Sequence, residues 1–136
     1  MKIRSKAVCF DGAFDGVPKE HEEQAQFVRM VDAAYPRDVS MMLFAVPNGG
    51  RRHIKTACDL KHEGVRSGVP DMLFAYPHKG YAGLFIEMKR RKGGRVSDAQ
   101  KAYIEALRGH GYAVVVCRGC DEAFDALTAY LGRDVA

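Results

Sequence analysis

Hydrophobic positions along this chain switch between two periods. Across residues 18–35, Phe27, Val28, Val31 and Ala34 recur three or four apart, the spacing of one helix face. Pro18, the acids that follow it and the terminating Pro36 fit the ends of such a helix. Residues 40–47 form an apolar run of strand length. Residues 53–66 return to helical spacing through Ile54, Ala57 and Leu60, with Gly64 as the stop. Two further strand-length runs, 71–76 and 84–89, flank the turn Pro77-His78-Lys79-Gly80 and predict a hairpin. A helix over 97–110 opens on Ser97 as N-cap and packs through Ala99, Ala102, Tyr103, Ala106 and Leu107. Tyr112 to Cys117 is a continuous β-branched run, which predicts a strand covered on both faces. Residues 121–131 form a last amphipathic helix.

The predicted order is helix, strand, helix, hairpin, helix, strand, helix. That is an α/β fold, a small mixed β-sheet flanked by helices. Residues 1–17 read as an irregular leader or arm, 18–131 as one domain and 132–136 as a frayed tail. A length of 136 residues suits a single core. No apolar run approaches the ~20 residues that span a bilayer, and the basic N-terminus lacks an apolar h-region. A cytoplasmic protein is expected. The four cysteines are therefore read as thiols, with Cys117 and Cys120 as small core or boundary residues rather than a metal or redox pair.

The chemistry concentrates in the hairpin. Asp71 opens its first strand, and Glu87 and Lys89 close its second. Antiparallel pairing sets the start of one strand beside the end of the other, and residues two apart share a face. The three side chains can therefore converge at one end of the sheet. Two carboxylates in contact repel unless a cation lies between them. Magnesium binds carboxylate oxygens and water, and a nearby ammonium can orient that water. The net charge of +4 permits a nucleic-acid partner, and its distribution is more telling. Arg51, Arg52, Lys55, Lys61 and Arg66 lie on one side of the acidic residues in sequence, and Arg90, Arg91, Lys92 and Arg95 on the other.

Gly68-Val69-Pro70-Asp71, then Ile86-Glu87-Met88-Lys89, then Gly93, Gly94, Ser97 and Gln100 resemble the VRR-NUC family of the PD-(D/E)xK nucleases, in its small stand-alone phage and bacterial form. The resemblance covers roughly residues 18–131. It implies a restriction-endonuclease-like core and metal-dependent hydrolysis of DNA phosphodiesters. By that resemblance Asp71, Glu87 and the Met88 carbonyl hold Mg²⁺ or Mn²⁺, and Lys89 serves the attacking water and the scissile phosphate. Glu20, followed by Gln24 four residues on, matches the family's helix-borne acid, with Glu23 as the other candidate. Gln100 is expected to point back into the site. The Pro47-Asn48-Gly49-Gly50 stretch resembles a substrate-facing loop. Asn48, Arg51, Arg52, Lys61, Arg66, Arg91, Lys92 and Arg95 are the candidate DNA contacts. The resemblance further implies a homodimer acting on branched DNA such as a Holliday junction. A flap, nick or duplex nuclease of the same fold, or a catalytically silent DNA-binding module, are the alternatives.

Overall fold

A computed structural model describes residues 16–47 and 54–132. The leader up to residue 15, the candidates Asn48, Arg51 and Arg52, and the last four residues lie outside them. The described elements are α1 (Glu20–Ala34), α2 (Arg37–Ser40), β1 (Leu43–Ala45), α3 (Ile54–His62), β2 (Met72–Phe74), β3 (Leu84–Lys89), α4 (Asp98–Gly109), β4 (Ala113–Arg118) and α5 (Cys120–Leu131). The strands form one mixed sheet in the order β1-β2-β3-β4. β1, β2 and β3 pair antiparallel, and β4 runs parallel to β3.

Alternation along the strands divides the core in two. Met72 and Phe74, with Leu84, Ile86, Met88 and Cys117, face α1 and α5, where Phe27, Val31 and Leu127 are fully buried. On the opposite face Phe85 and Val114 pack against Ile104 of α4. This is the expected sandwich. Among the described residues no helix is long and apolar enough to cross a membrane.

Three elements differ from expectation. In α4 the buried residue is Ile104, and Ala99, Ala102 and Ala106 of the expected stripe are exposed. The run 40–47 is not all strand, because Pro36 starts a helical turn in which the amides of Val39 and Ser40 donate to its carbonyl. That turn drives Val39 into the core, and β1 begins only at Leu43. β4 is an edge strand rather than a fully covered one. Its α5 face is closed, but α4 leaves Val116 exposed. A β-branched run reports strand propensity and does not reveal that the neighbouring helix stops short.

The hairpin turn is tighter than its strands suggest. His78 and Tyr81 bridge across Lys79 and Gly80, both at positive φ, as a two-residue turn requires. Beyond it, Phe74, Tyr76, His78 and Tyr130 pack as an aromatic cluster at the end of the sheet remote from Asp71.

Phe27 fills the junction of α1, α5 and the sheet. Phe27→Ala is expected to lower unfolding stability by about 3–5 kcal/mol in urea titration. A loss under about 1 kcal/mol would show that this junction is not the centre of the core.

Candidate active site

The β2–β3 register pairs Met72 with Ile86. Extended by one residue, it sets Asp71 opposite Glu87. Asp71 is held there because its Oδ2 accepts the Met88 amide at 2.8 Å. In a strand the N–H and C=O of one residue point to the same side. The Met88 carbonyl therefore faces the Asp71 side as well. Gly68 sets the approach to Asp71. Its φ is +88°, and a Cβ there would lie 2.5 Å from the Ala99 carbonyl oxygen. Only glycine lets the segment before Asp71 pass so close to the first turn of α4.

That contact brings α4 to the site. Ser97 caps the helix, accepting the Gln100 amide at 3.2 Å. The Gln100 side chain then turns inward, and its Nε2 donates to Glu87 Oε1 at 2.7 Å. Its Oε1 accepts from Lys89 Nζ at 3.1 Å and from the Ser97 amide at 2.9 Å. Lys89 also lies 3.4 Å from Glu87 Oε1. Glu87 and Lys89 are both buried, on the sheet face that carries α4.

The electrostatics are those of a compressed acidic pair. Burial, then the charge of Asp71, pushes the Glu87 carboxyl up to about 7 despite Lys89. Burial raises Asp71 too, against the Met88 amide, and the charge of Glu20 adds to the rise. Glu87 Oε2 is buried with no hydrogen-bond partner. A buried carboxylate oxygen lacking a donor, beside a second acid, suits a bound cation. Among the described residues no three His, Cys, Asp or Glu side chains form a ready metal cluster. Asp71 and Glu87 offer two carboxylates, and magnesium sites commonly use one or two, completed by water and phosphate.

The structure separates the two helix-borne acids. Glu20 lines an open cleft together with Gln24, Val28, Val46, Asp71 and Arg90. It reaches the vicinity of Lys89 across Gly94 without closing on the acidic pair. Glu23 is turned into the protein instead. Its Oε1 accepts from Arg91 Nε at 3.0 Å, and its Oε2 accepts the Cys120 amide. Arg91, a candidate DNA contact, is thus engaged internally, and it also lies 3.5 Å from Asp121. Lys61, Arg66, Lys92 and Arg95 are exposed. Cys117 and Cys120 are buried free thiols, pushed by burial up to about 12 and about 11, which fits small core residues.

Sequence reasoning missed Arg118. Its guanidinium donates to the carbonyls of Arg90, Gly93 and Gly94 at 3.1, 2.6 and 3.1 Å, stapling the loop that follows Lys89. The signal is the parallel register that sets Arg118 beside Lys89, which no local pattern contains.

Burial alone would raise the Glu23 carboxyl, but Arg91 and the Cys120 amide outweigh it and hold it below its usual value. The folded value is therefore lower than the unfolded one. The stabilisation is present above the unfolded value of about 4.3 and is lost as pH falls through the folded value. Glu23→Gln is expected to cost about 1.5–3 kcal/mol at neutral pH, with the difference from wild type shrinking below about pH 4. Urea titrations across the acid range check this. A difference that does not change with pH would contradict it.

A search of curated proteins finds no match. A solved structure described as a VRR_NUC domain protein superposes with a TM-score of 0.74 at 26% identity, covering 85% of this chain and 89% of that one. The VRR-NUC domain model matches residues 16–121. With the sandwich and its hairpin already described, the chain belongs to the VRR-NUC domain family, nucleases of the restriction-endonuclease-like fold.

Proposed function

We propose that this nuclease hydrolyses DNA phosphodiester bonds with Mg²⁺ or Mn²⁺ held by Asp71, Glu87 and the Met88 carbonyl, and that Glu20 completes the site. One observation carries the reading. A buried carboxylate, Glu87, and a half-buried one, Asp71, oppose each other at a strand end, one Glu87 oxygen lacks a donor, and a lysine lies beside them. The cation supplies Lewis-acid stabilisation of charge on the phosphate and acidifies water.

The side chains do the rest. Lys89 is held by Gln100 and Glu87, so its ammonium meets the scissile phosphate and the attacking water from a fixed position. Gln100 fixes both partners at once and acts as a positioning residue. Lys61, Arg66, Lys92 and Arg95 contact phosphates, as do Asn48, Arg51 and Arg52. Arg91 takes no part, because Glu23 and Asp121 hold its guanidinium. Phosphate contacts position a duplex without reading its bases. Selectivity then rests on DNA shape, with branched DNA favoured, and a symmetric homodimer would present two sites to a four-way junction.

The test is cleavage of labelled four-way junction, flap and linear duplex with Mg²⁺ or Mn²⁺. Wild type is expected to cut only with metal, and Asp71→Ala and Lys89→Ala to lose about 100-fold or more. A ranking headed by linear duplex would remove the branched-DNA part. Equal cutting by both variants would remove these residues from the chemistry.

A further inference from the structure

Glu20 and Lys89 reach the site from different elements. One stands at the first residue of α1 and the other at the last residue of β3. Ends of elements are where a chain frays, yet a misplacement of about 1 Å can cost about 100-fold in rate. Something must hold these two ends in register.

The turn Gly119-Cys120 between β4 and α5 meets both. The Gly119 amide donates to the Lys89 carbonyl at 3.2 Å. The next amide, of Cys120, donates to Glu23, which is one helical turn on from Glu20. Arg91, two residues beyond Lys89, closes the third side. It donates to Glu23 Oε1 at 3.0 Å and to Cys120 Sγ at 3.6 Å. Gly119 sits at φ +93°, and a Cβ there would fall 2.9 Å from both Glu23 Oε2 and Arg91 Nε. The turn therefore has room for the pair only as glycine.

We propose that Glu23, Arg91 and the Gly119–Cys120 turn form a clamp that sets the relative position of Glu20 and Lys89 at the active site. This inference rests on the metal-nuclease reading above. Glu23 is a positioning residue here, since it touches neither the acidic pair nor the lysine. Its neighbours on the buried face of α1 are Phe27, Met30 and Val31. Packing alone would be served by another apolar residue there, because burying a charged carboxylate costs solvation that an apolar side chain does not lose. What a buried carboxylate with directional partners adds is geometry. Gly94 shows what that geometry protects. A Cβ on it would lie 3.7 Å from both Glu20 Oε1 and Lys89 Cδ, so the two side chains converge over one residue. Sliding α1 along the sheet would open that convergence while leaving the Asp71–Glu87 register intact.

The test compares Glu23→Ala and Glu23→Gln with wild type. The readouts are Mn²⁺ binding by calorimetry without DNA, kcat and KM on the wild type's best DNA substrate, and circular dichroism below the melting temperature. Glutamine keeps a carbonyl oxygen for the Cys120 amide. The expected result is a folded Glu23→Ala protein with kcat and Mn²⁺ affinity each lower by about 10- to 100-fold and KM for DNA unchanged. Glu23→Gln should recover most of both. A Glu23→Ala protein with wild-type kcat and Mn²⁺ affinity, altered only in melting temperature, overturns the clamp. Should that variant fail to fold, Arg91→Ala decides in the same way, since its half-exposed side chain can be removed without leaving a cavity. Wild type that binds no Mn²⁺ and cuts no DNA would overturn the metal-site reading, and this inference with it.

Discussion

The structure is arranged around a repulsion. Asp71 and Glu87 are placed opposite each other by an antiparallel register, Glu87 buried by the packing around it and Asp71 half-buried at the edge of the cleft. Burial raises both carboxyls above their ordinary range, with the charge of Asp71 adding to the rise at Glu87 and that of Glu20 at Asp71. Left alone, such a pair weakens the fold, because each charge lacks the solvation it would have outside. The contacts around it hold that arrangement in place. Gly68 permits the close approach of α4, Ser97 caps that helix, and Gln100 then reaches Glu87 and Lys89 together. So many directional contacts hold the acidic pair in one geometry, which is what the proposed cation site requires.

The two faces of the sheet divide the labour. The α1–α5 face carries the large apolar core, and the α4 face carries Glu87, Lys89 and their glutamine partner. Alternation along β3 makes this possible. Ile86 and Met88 anchor the strand in the core, while Glu87 and Lys89, between and after them, turn to Gln100. The cost of exposing function at a strand end is limited by the loop beyond Lys89, which Arg118 holds through three carbonyls.

Much of this was legible from residue order. The hairpin, the helix boundaries at Pro36 and Ser97, and the convergence of Asp71, Glu87 and Lys89 follow from period, turn chemistry and strand alternation, which are local. The family resemblance supplied the inward direction of Gln100, and the capping geometry supplies its physical reason. What stayed hidden was non-local. Glu20 and Glu23 lie in the same acidic first turn, and only the position of α5 turns one inward and leaves the other on the cleft. Arg91 belongs to a basic run in sequence, yet tertiary packing gives it an internal partner. The edge position of β4 depends on strand order, which propensity does not encode.

The opposed carboxylates are proposed here as a divalent-cation site. The most direct measurement is electron paramagnetic resonance of Mn²⁺ titrated into wild type, Asp71→Asn and Glu87→Gln, without DNA. Free Mn²⁺ signal should fall as wild type is added and persist with either variant. Equal loss of signal for all three proteins would place the metal away from Asp71 and Glu87.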